Sequence, residues 1–252
     1  MKAITRAISS AMQDCELTHM DRQALDLDRA RQQHEAYNQA LRDLAVDVIE
    51  LAEQPTLADS VFVEDAALVF DEIAIITHPG AISRRPETSS IAEALEPLRP
   101  LAHIMEPAIL DGGDVLTIGK EVYVGLSSRS NSEAVVQLQQ HLESFGYTVH
   151  GLEMGKCLHL KTAVTALDDQ TVLLNPDWVD VDLFKGYTIV KTHPDEPFGA
   201  NVVRVGSSLL YGAGYPNTQA AIEALGHDVH VVDMSELAKA EGAVTCCSLM
   251  FN

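Results

Sequence analysis

The hydrophobic positions fall into short runs whose spacing changes between helix-like and strand-like along the chain. Between residues 26 and 45, apolar side chains recur every three or four positions among charged ones, which predicts an amphipathic helix. The short apolar run at residues 46–51 predicts a strand. The chain therefore contains a helix-then-strand unit near its beginning.

A longer pattern of strand, strand, loop, helix and strand then occurs twice in succession. The first copy places these elements at residues 61–70, 73–77, 80–84, 88–98 and 102–105. The second copy places them at residues 114–118, 122–125, 125–129, 132–145 and 148–152. Both loops contain Gly-x-x-Ser-Arg, 45 residues apart, so Arg84 and Arg129 occupy equivalent positions.

Further copies complete a set of five units. A third copy covers residues 202–205, 209–212, 213–217, 218–225 and 229–232. Residues 160–174 predict a strand pair with a much reduced helix, and a C-terminal strand would complete the N-terminal unit. A period of about 40–45 residues is the mark of a repeat architecture. Because one unit cannot bury both faces of its small sheet, we expect five units around an axis, with polar residues in a central depression.

Charge and composition narrow the class of ligand. Of the 252 residues, 37 are acidic and 17 are basic, so the formal net charge is −20. Nucleic-acid binding depends on Lys and Arg neutralising phosphates, so this balance argues against such a partner, whereas a cationic small molecule would be attracted. The chain shows no apolar leader, no run of about 18 apolar residues and no Gly/Ser-rich linker. We therefore expect a single domain spanning 1–252, located in the cytoplasm with no membrane span.

The four cysteines include no Cys-x-x-Cys pair, which argues against a disulfide framework and against structural zinc. Two of them, Cys246 and Cys247, are adjacent in the apolar, β-prone run at residues 242–251. If that run is extended, the two side chains point to opposite faces and only one thiol can face a given pocket. A pair of buried core cysteines is the alternative interpretation, since free cysteine is among the most buried residue types.

Three acidic residues, Asp59, Glu64 and Asp65, lie within seven positions at the start of a predicted strand. A solvated strand edge is one interpretation of this cluster. The apolar residues on both sides favour another, in which at least one acid is held against the core and needs a cationic partner.

A pair of glycines separates two aspartates in the stretch Leu-Asp-Gly-Gly-Asp at residues 110–114. This composition is typical of a simple turn. The functional alternative uses the same glycines, which would let the backbone pack close to a ligand while Asp111 or Asp114 presents a carboxylate.

One histidine stands in the apolar stretch Cys-Leu-His-Leu-Lys at residues 157–161. In a strand, His159 would share a face with Cys157 and Lys161. Most histidines in such a setting are hydrogen-bonded core residues. A thiol, an imidazole and a carboxylate are nevertheless the minimum set for nucleophilic thiol chemistry, and the chain offers all three groups.

Six ordered stretches together resemble one enzyme family over nearly the whole chain; they are Asp59 with 61–65, then 79–85, 110–114, 125–131, 158–161 and 245–248. That family is the dimethylarginine dimethylaminohydrolases, which are guanidino-group-modifying enzymes. The resemblance implies the pentein fold, a five-fold pseudosymmetric α/β propeller around a central active-site pocket. It also implies hydrolysis of Nω,Nω-dimethyl-L-arginine, or of the monomethyl form, to L-citrulline and dimethylamine or methylamine through a covalent cysteine thiouronium intermediate.

The resemblance further implies the roles of three catalytic residues. Cys246 would be the nucleophile, with Cys247 its core-facing neighbour. His159 would be the general acid and base, and Asp111 would orient that histidine. No metal or organic cofactor is implied, although zinc could bind a Cys-His pair adventitiously and block the site.

The remaining implied residues bind the substrate. Glu64 and Asp65 would hold the guanidinium group. Arg84 and Arg129 would grip the α-carboxylate, and Asp59 would lie near the α-amino group. Each assignment follows from the position of the residue within the resembling stretches.

Two further substrate contacts are implied for backbone carbonyls. One corresponds to Leu17, in an N-terminal loop expected to cover the pocket. The other corresponds to Ala240, where the family usually has a larger aliphatic residue, so the pocket wall would be looser. A homodimer is compatible with such a fold.

Three other functions compete with this interpretation. A related guanidino or ureido hydrolase, such as an arginine deiminase-type enzyme, would use the same fold with a different pocket around the terminal nitrogens. A non-catalytic propeller that binds a partner is disfavoured by the intact Cys, His and Asp set. A redox switch between Cys246 and Cys247 is disfavoured because vicinal cysteines in a strand point apart.

Overall fold

Five small sheets of three strands each form the framework of the chain. The computed structural model describes residues 1–154 and 157–252. In every sheet, the middle strand pairs antiparallel with one neighbour and parallel with the other. The expected five-fold repeat is therefore confirmed, and the molecule is an α/β propeller.

The fifteen strands among the described residues are β1 (Lys2–Arg6), β2 (Asp47–Leu51), β3 (Ala67–Val69), β4 (Ala74–Ile76), β5 (Leu101–His103), β6 (Val115–Ile118), β7 (Glu121–Leu126), β8 (Thr148–Glu153), β9 (Val164–Ala166), β10 (Thr171–Leu174), β11 (Thr188–Lys191), β12 (Val202–Val205), β13 (Ser208–Gly212), β14 (Asp228–Val232) and β15 (Leu249–Phe251). They form the sheets β15-β1-β2, β3-β4-β5, β6-β7-β8, β9-β10-β11 and β12-β13-β14.

The α-helices among the described residues are α1 (Leu27–Asp43), α2 (Glu87–Leu95), α3 (Ser132–Leu142), α4 (Leu160–Ala163), α5 (Pro216–Glu223) and α6 (Ser235–Ala238). Four of the five units connect the middle strand to the outer strand through a helix, namely α1, α2, α3 or α5. In the fourth unit a 3-10 turn at Val181–Phe184 stands in that place, as the weak repeat there predicted. None of the described helices combines the length and the apolar content needed to cross a membrane.

The two ends of the chain close the ring within one sheet. Strand β15 pairs antiparallel with β1, with Ile4 opposite Leu249. The C-terminal strand is thus held inside the fold, as expected, whereas β1 itself was not predicted from the sequence. This closure brings the cysteine-containing segment into the middle of the molecule.

Three segments predicted to be extended are turns instead. Residues 63–66 form a 3-10 helix before β3, residues 160–163 form the short helix α4, and Thr245–Cys247 form a 3-10 turn before β15. Each lies at the centre of the ring and is surrounded by protein. A continuous apolar run indicates that the segment is buried on all sides. Burial by itself does not distinguish a strand from a short helix or tight turn.

The hydrophobic cores lie between adjacent sheets. One cluster joins Ile4 of β1, Ala67 of β3 and Leu249 of β15, which are all buried. The innermost strands leave a cavity of about 350 Å³ along the axis, lined by side chains from each of them: Leu68, Leu116, Thr165, Val203 and Met250. The functional residues gather where loops close one end of this axis.

Candidate active site

The two adjacent cysteines lie in the turn Thr245–Cys247. Cys246 is half-buried and lines a cavity at the centre of the ring. Cys247 is fully buried, and its thiol donates to the carbonyl oxygen of Ala243 at 3.6 Å. Only one thiol faces the cavity, as expected, but the reason is a 3-10 turn and the prediction of a strand at this position was wrong.

Two residues that sequence reasoning missed hold this turn from opposite sides. The hydroxyl of Tyr37, on α1, donates to the carbonyl oxygen of Val244 at 2.9 Å and lies 2.7 Å from Ser248 Oγ. The amide of Asn201 accepts from the backbone N–H of Thr245 at 3.1 Å and donates to its Oγ1 at 3.0 Å. Both side chains are buried and carry polar groups. Since buried polar groups need hydrogen-bond partners, a polar group within an apolar stretch is the sequence feature that could have pointed to these two residues.

His159 immediately precedes α4 and adopts extended backbone angles. Its Nε2 lies 3.2 Å from Asp111 Oδ2, and its Nδ1 lies 4.0 Å from Asp65 Oδ1. A Cβ at Gly113 would lie 2.5 Å from the same Nδ1, so only glycine fits beside the ring. Cys157 and Lys161 line the same cavity as His159, although the segment is not a strand.

The ionisation of His159 is set by the carboxylates around it. Burial alone would lower the pKa of His159, but the charges of Asp65, Asp111 and Asp114 outweigh burial and raise the pKa to about 9. The paired Asp65 shifts the other way, since its cationic neighbours His159 and Arg84 overcome the effect of burial and lower its pKa. The imidazole is therefore protonated at neutral pH and can act as a proton donor.

The structure distinguishes the two aspartates beside the glycine pair. Asp111 accepts a hydrogen bond from the Gly80 N–H at 2.9 Å and faces His159. Asp114 accepts from the Leu160 N–H at 3.0 Å and from Ser127 Oγ at 2.7 Å, so it ties the loops to α4. The glycines serve close packing, since a Cβ at Gly112 would lie 1.9 Å from a backbone oxygen.

Glu64 lies beside the nucleophile turn in a buried ion pair. Its Oε1 lies 2.5 Å from Lys161 Nζ, and its Oε2 accepts from Thr245 Oγ1 at 2.8 Å. Burial raises the pKa of Glu64, and the Lys161 charge opposes this rise. Lys161 was noted in the sequence only as a neighbour of His159, and its partner could not be inferred.

The pKa of the Cys246 thiol is raised. Burial is the main cause, and the carboxylates of Glu64 and Asp65 raise the pKa further, to about 12. The nearby Lys161 charge acts in the opposite direction but does not offset these effects, so the thiol of the free protein is neutral at neutral pH.

The two equivalent arginines have different surroundings. Arg84 is buried and donates to Asp65 Oδ2 at 2.5 Å, to Glu87 Oε2 at 2.9 Å and to the Phe62 carbonyl oxygen at 3.0 Å, so all three of its nitrogens have protein acceptors. Arg129 lies 3.5 Å from Asp111 Oδ2 through Nη1. Its Nη2 donates to Thr18 Oγ1 at 3.2 Å, which links it to the N-terminal loop.

The N-terminal loop lies over the site and is held by Glu241. The Glu241 carboxylate accepts the backbone N–H groups of Thr18, His19 and Met20 at 3.0, 2.6 and 2.7 Å. Leu17 in this loop is half-buried and packs against the core. The expected covering loop is thus present, and Glu241 is an anchor that the sequence did not reveal.

The remaining predicted residues lie below this loop. Asp59 is buried and accepts from the Glu16 N–H at 3.1 Å, and burial raises the pKa of its carboxyl group. Ala240 is buried against the same space.

The space above Cys246 has two parts, which share His159 and Cys246. We call the first the polar slot: it measures about 20 Å³ and is lined by charged residues that include Asp59, Asp65, Arg84 and Arg129. We call the second the wide lobe: it measures about 190 Å³ and its walls include Met20, Glu64, Phe198, Tyr215, Ala238 and Ala243.

Within the part of the chain that the structure describes, one group of side chains could offer three ligand atoms to a metal ion. Atoms of Asp65, Asp111 and His159 lie within 4.8 Å of one another. The two carboxylates already face Arg84 and Arg129, at 2.5 and 3.5 Å. A metal ion would have to displace these ion pairs and the proton on His159.

Comparisons with known proteins agree on one family. A family model described as N,N dimethylarginine dimethylhydrolase, eukaryotic, matches residues 5–191. The chain is 42% identical over 251 residues to the N(G),N(G)-dimethylarginine dimethylaminohydrolase of Streptomyces coelicolor, covering 98% of this chain and 96% of that protein.

Solved structures show the same likeness. A mutant of the Pseudomonas aeruginosa enzyme DDAH complexed with citrulline is similar at a TM-score of 0.94 and 34% identity, covering 99% of this chain and 98% of that one. The N-terminal domain of ArgZ, a cyanobacterial arginine dihydrolase bound to product, has a TM-score of 0.86 at 16% identity, covering 98% of this chain and 96% of that one. The likeness to ArgZ is one of fold alone.

Proposed function

Because this chain belongs to the dimethylarginine dimethylaminohydrolase family, we propose that it hydrolyses Nω,Nω-dimethyl-L-arginine to L-citrulline and dimethylamine, and the monomethyl form to L-citrulline and methylamine. The observation that carries this proposal is that Cys246 and His159 open onto one cavity beside the buried carboxylates of Glu64 and Asp65. These groups supply a nucleophile, a proton donor and a cradle for a cation.

Substrate recognition follows the charge of the polar slot. The guanidinium group lies between Glu64 and Asp65, and the α-amino group lies toward Asp59. Arg129 provides the main contact to the α-carboxylate, because the nitrogens of Arg84 are already engaged by protein acceptors. The backbone carbonyls of Leu17 and Ala240 add hydrogen bonds at the ends of the substrate.

Binding of the substrate activates the nucleophile. The carboxylates of Glu64 and Asp65 raise the pKa of Cys246, and a guanidinium cation placed between them offsets that effect. The thiol then loses its proton to solvent, since His159 is already protonated at neutral pH. The thiolate forms only when a cationic substrate is present.

Two proton transfers by His159 complete the reaction. Cys246 attacks the central guanidinium carbon, and His159 donates its proton to the substituted nitrogen as the carbon–nitrogen bond breaks and dimethylamine leaves. The neutral imidazole then takes a proton from a water molecule that attacks the thiouronium carbon. Collapse of this adduct breaks the carbon–sulfur bond, releases citrulline and returns a proton to the thiolate.

Arginine deimination is the second candidate activity. The fold is shared with an arginine dihydrolase, which leaves this candidate open. The apolar wall of the wide lobe next to Cys246, formed by Ala243, favours a methylated nitrogen over an unsubstituted one. Dimethylarginine is therefore the preferred substrate.

A citrulline-release assay tests the proposal. Dimethylarginine, monomethylarginine and arginine are supplied in parallel, the amine product is identified, and the Cys246→Ser variant serves as control. Dimethylamine released in step with citrulline supports the proposal. Faster release of ammonia from arginine would establish a deiminase instead, and a lack of citrulline from all three would refute both.

A homodimer and a cytoplasmic location remain predictions. Light scattering of the purified protein measures the first, and fractionation of producing cells measures the second.

A further inference from the structure

The site is strongly asymmetric in size. The polar slot measures about 20 Å³, whereas the wide lobe measures about 190 Å³. One water molecule needs about 10–15 Å³ of such space, so the slot is nearly filled by protein and the lobe is not. The two parts therefore place different limits on the groups that they can receive.

The charged groups determine which end of a substrate enters each part. Arg129 and Asp59, which match an α-carboxylate and an α-amino group, line only the slot. Glu64 lines the lobe and not the slot, and Cys246 and His159 line both parts. With the guanidinium carbon at Cys246, the amino-acid end lies in the slot and the substituents on the terminal nitrogen point into the lobe.

The walls of the lobe are mostly apolar and extend to the protein surface. Beyond Cys246 they include Ala243, Ala238, Tyr215 and Phe198, and Phe198 is 48% exposed at the outer end. Phe198 is supported by an edge-on contact with Trp178 at 4.9 Å between ring centroids. A dimethylamino group has only three heavy atoms and leaves most of this space unused.

From this geometry, and on the premise of the proposed function, we propose that the wide lobe is a leaving-group site for larger apolar amines. The additional substrates are Nω-alkyl-L-arginines with linear chains of three to five carbons. Each is hydrolysed with water to L-citrulline and the corresponding alkylamine. As with dimethylarginine, the carbon–nitrogen bond to the substituted nitrogen breaks and His159 protonates the departing amine.

The proposal predicts how kcat/KM changes with the length of the alkyl chain in a series of Nω-alkyl-L-arginines. Each methylene that leaves water for the lobe contributes about 0.8 kcal/mol, equivalent to about fourfold in kcat/KM when the whole gain is realised. Longer chains are therefore expected to hold or raise kcat/KM until the chain passes Phe198 into solvent. A lobe matched only to methyl groups would give a steep fall from the first added carbon.

The experiment compares Nω,Nω-dimethyl-L-arginine with Nω-propyl- and Nω-butyl-L-arginine in the citrulline assay. We expect kcat/KM for the butyl substrate to lie within tenfold of the dimethyl value. Ala238→Leu, which narrows the lobe away from Cys246, should lower the butyl value at least tenfold and the dimethyl value less than threefold. Ala220→Leu, on the exposed face of α5, is the matched control and should change neither value.

The outcomes are separable. Turnover of dimethylarginine with butyl activity below one hundredth of it would overturn the leaving-group site and leave the proposed function intact. An absence of turnover with every substrate would refute the proposed function itself. Phe198→Ala, which removes part of the apolar wall, should also lower the butyl value. Butyl activity unchanged in either folded variant would show that the chain lies elsewhere and would also overturn the proposal. The Phe198 variant alters an exposed side chain, so it retains a test if the Ala238 variant does not fold.

Discussion

Replacing Asp111 by Asn tests the electrostatic control of His159. The substitution keeps the shape of the side chain and an oxygen for the Gly80 N–H, but it removes a negative charge 3.2 Å from His159 Nε2. A hydrogen bond to a charged group contributes about 1.5–3 kcal/mol. Since one pKa unit corresponds to about 1.4 kcal/mol, the pKa of His159 should fall by about one to two units from its value of about 9.

The assay is the pH dependence of kcat/KM for dimethylarginine. His159 must be protonated to release the amine, so activity is lost on the alkaline side as pH passes the pKa of His159. The alkaline limb should move from about pH 9 in the parent protein to about pH 7–8 in the variant. We also expect kcat to fall at neutral pH, because the ring loses the acceptor that orients it.

Unfolding measurements give an independent check. The pKa of His159 is raised on folding from 6.5 to about 9, so its contribution is fully present below pH 6.5 and is lost as pH rises through 9. For the parent, this loss is on the order of 3–4 kcal/mol of unfolding free energy, because each unit of the pKa shift corresponds to about 1.4 kcal/mol. In Asp111→Asn the loss across the same pH range should be smaller by about 1.5–3 kcal/mol.

Glu121→Gln is the matched control, because it removes a carboxylate 2.5 Å from the half-exposed His150, and neither residue lines the polar slot or the wide lobe. This variant should leave the alkaline limb and kcat unchanged. An alkaline limb at the same pH in Asp111→Asn and in the parent would refute a contribution of the Asp111 carboxylate to the raised pKa of His159.

Three further predictions address the remaining roles. Cys246→Ser should lower citrulline release by several orders of magnitude while Cys247→Ser retains most of it, and equal losses would mean that the nucleophile is misassigned. Arg129→Ala should raise KM about 10–100-fold for substrates with an α-carboxylate, through loss of a charged contact, and should not affect decarboxylated analogues; an equal change for both would contradict its role. Lys161→Met should raise the pKa of Glu64, which must be ionised to hold the guanidinium group, and should therefore move the acid limb of kcat/KM to higher pH. Lys161→Arg keeps the charge and should leave the limb in place. An acid limb that does not move in Lys161→Met, with folding confirmed by a thermal melt, would refute a role for the Lys161–Glu64 ion pair.

Much of the fold could be read from local patterns. The repeated strand, strand, helix and strand order gave the number of units, and the equivalent loops placed Arg84 and Arg129 in corresponding positions. These predictions succeed because the spacing of hydrophobic residues and the positions of turn-forming residues determine helices, strands and turns over only a few positions of the chain. The same information failed at the centre of the ring, where the nucleophile segment is a 3-10 turn.

What the sequence determined by itself is the set of chemical groups and the repeat that carries them: a thiol, an imidazole, buried acids and two arginines on five similar units. Only the tertiary structure decided how they pair. Asp111 rather than Asp114 faces His159, and Glu64 meets Thr245 across 181 residues of chain. It also decided the unequal size of the polar slot and the wide lobe. These features depend on how five separate units close into a ring. Contacts between residues so far apart in the chain produce no periodic pattern in the sequence, so the sequence alone does not predict them.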